Sequence, residues 1–374
     1  MSAAAPPLDD DNLLFEILHR LPALPSTLPR ASLVCKRWRL LVSDPGFIRR
    51  FREHHRHSPP LLGYFIHDRR GISYEPTMDP PDRVPAGRFS LRLEGSYGFT
   101  LLGCRQGLVL ISHELRRQIL VWDPVTGDQH HIAFPPWFDG MTNQIQGAVL
   151  RAAAEADHFQ VVLVQATIWD EQHLQVLACV YSSEAGGWGN LVSTPIPAPA
   201  YCRGMSAVLV GNSFYWCLAG CFCAVLEFDL ERQSLAVIQV PVGEEDSFTV
   251  MRAEGGGLGL LSVSGFTAQL WKRKTDSDGI ASWGMGRTIQ LDKLLFPNLD
   301  ETAQLFIIGF SDENNVVFLT ASYGVIMVQL ESLQSKELCE IDSFDEHHHA
   351  FESVYAAGIG IGGEHDGAEL VDNP

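Results

Sequence analysis

Up to about residue 56 the apolar residues recur at helical spacing; beyond about residue 60 they do not. Leu13, Leu14, Ile17, Leu18 and Leu21 form one stripe at intervals of three and four, the pattern that lines one face of an α-helix. Asp9, Asp10 and Asp11 precede it, where a capping side chain and first-turn carboxylates favour a helix start. Pro22 stops it, since the residue before a proline is pushed out of the helical region. PRASLVCKRWRLLVS, residues 29–43, predicts a second helix, with Ser26 or Thr27 as cap and Pro29 in its first turn. Ala31, Val34, Cys35, Trp38, Leu41 and Val42 then share one broad face, with Arg30, Lys36, Arg37 and Arg39 mostly off it. Ser43 or Asp44 before Pro45 caps and turns the chain, and GFIRRFREHH, residues 46–55, predicts a third short helix.

From about residue 60 short apolar runs alternate with Gly, Asp, Asn and Pro, which reads as β-structure with regular turns. A helical pattern returns only near LDKLLFPNLDE, residues 291–301. Residues 104–135 and 209–241 share one order: turn, strand, turn, strand, an Asp-led tight turn, strand, Pro. Asp123-Pro124-Val125-Thr126-Gly127 and Asp229-Leu230-Glu231 occupy the same place in the two copies. Looser copies run over 159–191, 258–291 and 315–341. Trp122, Tyr181, Phe228, Trp271 and Val328 mark them at about 43 to 59 residues apart, which suits four-stranded propeller blades with insertions. Gly-aromatic turns at 186–188 and 281–284 fit the same units. Residues 60–67 and 351–360 predict a split sixth blade that joins the two ends of the chain and removes exposed sheet edges. The expectation is six blades, within a range of five to eight, with a β-sandwich of similar length as the alternative.

Three short helices in some fifty residues make a small core, and the apolar supply exceeds what they can hide. Either the excess packs on the rest of the chain or it serves a partner, with Leu and Trp as anchors. The residues LDDDNLLFEILHRLP and SLVCKRWRLLVSDPGFIRR tip the balance. With Leu-Pro at 21–22, Val-Cys-Lys-Arg-Trp at 34–38 and Ser-Asp-Pro at 43–45, residues 8–50 strongly resemble the F-box. That motif docks substrate receptors onto the Skp-type adaptor of cullin–RING ubiquitin ligases. The resemblance implies an apolar dock made by Leu8, Leu13, Leu14, Ile17, Leu21 and Pro22, then Leu33, Val34, Cys35, Trp38 and Leu41. Some of these must instead hold the small bundle together. The β-rich remainder resembles, by order and turn grammar, the F-box-associated β-propellers abundant in plants. The expected organisation is a three-helix F-box over 8–54, an all-β propeller over 60–362, and flexible termini at 1–7 and 363–374.

Charge narrows the partners. The chain of 374 residues carries a net charge of -18, which repels phosphate backbones and argues against nucleic acid. The one basic zone is 30–56. No apolar run reaches a membrane-spanning length, and the first residues, MSAAAPPLDDDN, do not read as a secretory signal. The eight Cys are scattered and read as reduced thiols, so cytosol or nucleus is expected. Cys217, Cys221 and Cys223 lack the spacing of a zinc site and read as buried structural thiols. His130-His131 and His347-His348-His349 point alternately to opposite faces of a strand and offer no four converging ligands. Residues 345–349 read as a solvated loop whose His could titrate near neutral pH. The Gly-rich run at 253–261 lacks the Lys-Ser or Lys-Thr of a phosphate loop. Trp137, Phe138, Trp169 and Arg203 fall in loop-like stretches and read as packing. No catalytic, cofactor or metal site is read.

These expectations converge on a substrate-recognition subunit of an SCF-type ligase, in which the adaptor, cullin and RING subunits supply the chemistry and the propeller binds a target protein. The other readings are a ligand- or carbohydrate-binding propeller with a helical cap, and an F-box protein that joins the adaptor without a cullin.

Overall fold

The structure, a computed structural model, describes residues 10–68, 71–91, 98–138, 145–151, 158–168, 173–197, 200–202, 204–220, 223–243, 246–292, 304–321, 324–340 and 347–355. Leu8, Trp169, Arg203, Cys221, both predicted termini and most of 291–301 lie outside them. The chain divides into two compact units. One takes the chain up to Pro59, Asp79–Asp82 and the chain from Val354; the other takes Pro60–Met78 and Arg83–Ser353.

The first unit holds four helices: α1 (Asp11–His19), α2 (Thr27–Ser32), α3 (Lys36–Val42) and α4 (Pro45–His55). The expected second helix is therefore two. Its first part closes with Leu33 N–H on the Arg30 carbonyl at 3.1 Å and Val34 N–H on the Ala31 carbonyl at 3.2 Å. Cys35 is then extended, with φ -163° and ψ 170°, and serves as the N-cap of α3. Two β-branched or thiol side chains at this point, Val34 and Cys35, gain little from helical backbone.

The second unit is a ring of six antiparallel sheets. In chain order come β1 (Leu61–Asp68) and β2 (Gly71–Pro76), then β3 (Phe99–Arg105), β4 (Leu108–His113), β5 (Gln118–Trp122) and β6 (Gln129–Ala133). The next sheet has β7 (Ile145–Arg151), β8 (Phe159–Ile168), β9 (His173–Ser182), β10 (Gly187–Trp188) and β11 (Val192–Pro197). β12 (Ala200–Cys202), β13 (Val208–Val210), β14 (Ser213–Gly220), β15 (Ala224–Asp229) and β16 (Ser234–Gln239) form the third. β17 (Ser247–Arg252), β18 (Leu258–Ser264), β19 (Thr267–Thr275) and β20 (Ala281–Gln290) form the fourth. β21 (Phe306–Ser311), β22 (Val316–Ala321), β23 (Gly324–Gln329) and β24 (Ser335–Glu340) form the fifth. The last strand, β25 (His349–Glu352), pairs with β1, and β1 with β2. The sixth blade is thus split between the two ends of the chain, as the sequence predicts, and the architecture is helical F-box region plus six-bladed propeller.

The repeated sequence grammar has a repeated cause. In the turn after β5, the Asp123 carboxylate accepts from Val125 N–H at 2.9 Å and Thr126 N–H at 3.2 Å. After β15, Asp229 accepts from Glu231 and Arg232 N–H at 2.9 and 2.8 Å. After β23 the Gln329 side chain does the same for Glu331 and Ser332. A short side chain thereby replaces a missing backbone partner at the tip of each turn. The Gly-aromatic turns also act alike. Trp188 Nε1–H donates to the Ala133 carbonyl at 2.9 Å, and Trp283 Nε1–H to the Gln239 carbonyl at 2.8 Å. Each Trp sits on an outer strand and reaches the last residue of the outer strand one blade back.

His348 and His349 are not in a solvated loop: both are buried where β25 begins. His349 Nδ1 is hydrogen-bonded to Ser206 Oγ at 2.8 Å. Burial, reinforced by His347, His348 and His67, pushes the His349 pKa down to about 3, far below the neutral range expected of an exposed loop. His130 and His131 lie exposed on β6, Cys217 is buried, and Cys223 is half-buried. Among the described residues no group of His, Cys, Asp or Glu is placed to hold a metal ion, and no helix is long and apolar enough to cross a membrane.

Candidate adaptor-docking surface

The helical unit separates its apolar residues into two sets. Asp10 caps α1 by accepting from Asn12 N–H at 2.9 Å. Along that helix Leu14 and Leu18, four apart, are fully buried, while Leu13 and Ile17, four apart and one step round, face outward. Asp44 caps α4 by accepting from Phe47 N–H at 2.8 Å, with Pro45 in the first turn. Phe47 and Phe51 then point inward, and Phe15 meets the Phe47 ring edge-on at 5.1 Å. The core comprises Leu14, Leu18, Ala23, Leu28, Ala31, Val42, Phe47, Phe51 and Val354, flanked by Phe15, Leu21, Trp38, Leu41 and Ile48.

Polar contacts fix the helices around that core. Arg37 Nε–H and an Nη2 proton both reach Asp11 Oδ1 at 2.7 Å, tying α3 to α1. His19 Nε2 bonds the Arg50 carbonyl at 2.9 Å, and His55 Nε2 the His19 carbonyl at 3.2 Å, tying α1 to α4. Burial first, then His54, pulls the His55 pKa down, so a neutral imidazole is favoured there. The Arg50 guanidinium lies over the Phe15 ring at 5.4 Å. A groove of about 760 Å³ opens between these elements, lined by Asp11, Asn12, Phe15, Glu16, Arg37, Leu40, Leu41 and Arg50.

What remains outside is unusually apolar. Of the eleven large hydrophobic side chains exposed among the described residues, six belong to this short stretch: Leu13, Ile17, Leu24, Leu33, Val34 and Leu40. Leu33 is 75% exposed, Val34 61% and Leu40 65%. The break between α2 and α3 accounts for Leu33 and Val34, because residues 33–35 leave the helix there and all three are exposed. A surface so rich in aliphatic groups on so small a unit makes it the candidate docking surface.

Against the residues expected to dock, the structure sorts as follows. Leu13, Ile17, Pro22, Leu33, Val34 and Cys35 are exposed. Leu21, Trp38 and Leu41 are half-buried and brace the core. Leu14 is fully buried and belongs to the core. Leu24 and Leu40 are exposed but absent from the expected set. Leu40 is hidden from sequence reasoning because a continuous helix over 29–43 places it beside the basic residues, and Leu24 because it stands in the turn after Pro22. In the propeller, Phe138 is buried and its neighbour Trp137 is exposed; Arg117 holds that turn through the Phe138 carbonyl at 2.6 Å.

A capped helical unit with an aliphatic surface, followed by a six-bladed propeller, defines an F-box protein with a C-terminal β-propeller. The F-box-like family profile matches residues 11–54. The profile described as F-box protein AT5G49610-like, beta-propeller matches residues 100–355, and the chain belongs to that family. F-box domains typically bind Skp-type adaptors, and both domain types are generally non-catalytic. No curated protein matches the chain. Similar solved structures include the Cps50 (Swd1) β-propeller domain of Myceliophteria thermophila, 12% identical over 75% of this chain and 83% of that one at TM-score 0.40. Another is a nidogen/laminin complex, 9% identical over 77% of this chain and 96% of that one, also at TM-score 0.40. Similarity at that level carries no weight for fold detail or function.

Proposed function

We propose that this chain is the substrate-recognition subunit of an SCF-type ubiquitin ligase. Its helical unit docks on a Skp-type adaptor and through it on cullin and RING subunits, and its propeller holds the target protein. The observation that carries this reading is the outward aliphatic set, Leu13, Ile17, Leu33, Val34 and Leu40, on a unit whose own core is already filled. Burying such side chains on a partner is worth about 1.5–3 kcal/mol each, enough for a stable contact after the costs of association. The chain contributes proximity, converting an encounter between loaded ubiquitin and a target lysine into a nearly intramolecular event. It acts in the cytosol or nucleus and needs no cofactor of its own.

Co-expression of the full chain with a Skp-type adaptor is expected to give a stoichiometric complex on size exclusion. Leu33→Asp with Val34→Asp, both outside the core, should abolish the complex and leave the far-UV circular dichroism unchanged. A chain that never binds any such adaptor sinks the proposal. Reconstitution with cullin and RING subunits then tests ligase assembly separately.

A further inference from the structure

The core of the helical unit is not closed by the helices alone. Val354 is buried within it, in one cluster with Leu14, Leu18, Val42, Phe47 and Phe51. Ser26, at the start of α2, makes no side-chain cap of its own; its N–H donates instead to the Asp82 carboxylate at 2.9 Å. Both contacts lie inside the same compact unit, yet they come from residues far along the chain. A small helical bundle that borrows an apolar plug and a cap in this way is incomplete without them.

Val354 stands two residues beyond the end of β25, and β25 is held from several sides. It pairs with β1 through Gly63↔Phe351, Tyr64↔Ala350 and Phe65↔His349. Ser353 N–H donates to the Pro60 carbonyl at 3.2 Å, and the Glu352 carbonyl accepts from Gly107 N–H at 3.1 Å. One Glu352 carboxylate oxygen accepts from the Ser311 hydroxyl, from Glu313 and Asn314 N–H at 3.1 Å each, and from Asn314 Nδ2 at 2.8 Å. The Phe351 ring is fully buried against Phe65 and Phe89 at 5.1 and 5.4 Å. At the start of the strand, His348 N–H bonds the Ile308 carbonyl at 2.8 Å, and a Cβ on Gly309 would collide with the His348 carbonyl. Two residues span at most about 7 Å, so a seated β25 leaves Val354 little freedom.

We infer that closure of the propeller ring and completion of the helical core are one coupled step: pairing of β25 with β1 is what supplies Val354 to the helices. A chain with an open ring therefore carries a loosened helical unit, and an incompletely folded receptor is kept from presenting a finished docking surface. The coupling itself is a property of this chain and stands apart from the proposed ligase role; only its consequence for docking rests on that reading.

Hydrogen exchange of the full-length chain, read by mass spectrometry, tests it, because exchange reports local opening element by element. V354D is expected to speed exchange in α1 and α4 at least tenfold and to leave β14–β19 as in the wild type. If V354D does not yield soluble protein, V354A reads the same comparison with a smaller change of about threefold, and V354I should restore protection. F351A, which lies outside the helical unit, is expected to loosen α1 and α4 together with β1 and β25. Wild-type exchange in α1 and α4 of the Val354 variants, or loosened β1 and β25 with unchanged helices in F351A, overturns the inference. An adaptor pull-down on the same samples separates the two readings. Coupled exchange without adaptor binding defeats the proposed function alone, and adaptor binding with uncoupled exchange defeats the coupling alone.

Discussion

Leu14 and Ile17 lie one turn apart on α1, yet they have opposite fates. Leu14 is fully buried in the helical core, and Ile17 is exposed. Leu14→Ala is expected to cost about 2–5 kcal/mol, the range for emptying a packed leucine site, read as the opening free energy of α4 amides by hydrogen exchange. Ile17→Ala should change that value by less than about 0.5 kcal/mol, as for a surface change, and weaken the adaptor complex instead. Equal structural costs for the two would refute this division of roles. At His349 the sign of the pH dependence is set by burial. Its folded pKa of about 3 lies below the ordinary value of 6.5, so between those pH values the unfolded chain binds the proton more readily. The stability it contributes is complete above pH 6.5 and is lost as pH falls toward 3. The urea midpoint of the propeller should drop between pH 7 and pH 4.5, and His349→Gln should flatten that drop. An equally steep profile in the variant would remove His349 as the cause.

At the scale of elements, turn chemistry and helix breaks did different work. The Asp-led turns after β5 and β15 were legible in the sequence, because an Asp followed two and three residues on by free N–H groups is a local structure needing no distant partner. The Gly-aromatic stretches were legible as turns, but not as pins. That Trp188 and Trp283 each bond a carbonyl of the preceding blade depends on how blades stack. Trp283→Phe keeps an aromatic ring of smaller volume and deletes the donor, and is expected to cost at least about 0.5–1 kcal/mol, the lower end for a hydrogen bond, in urea unfolding followed by far-UV circular dichroism. No loss at all would mean that the bond merely accompanies the packing. The α2–α3 break was not legible. Helical periodicity continues through residues 33–35, and the extended Cys35 pays off only because Leu28, Ala31 and Val42 then meet one core. Leu40 was missed for that reason.

Across the whole chain, what the sequence by itself determined was its grammar. Apolar spacing of three and four marks the helices, and short apolar runs with repeated turns mark the blades. The resemblance of residues 8–50 to the F-box could be read directly, and five copies plus two matching ends pointed to six blades within a range of five to eight, a number the sheets then settled. These features repeat locally, so periodicity reveals them without any knowledge of contacts. Only the tertiary structure decided which apolar residues are core and which are surface. It also buried His348 and His349, which their polar neighbours had marked as solvated, because β25 carries them into the ring. And it put Val354 among the helices, more than three hundred residues along the chain from the leucines of the same cluster. The physical reason is the same in each case: a side chain's spacing along one element fixes its direction, whereas its burial depends on which distant segment arrives to cover it.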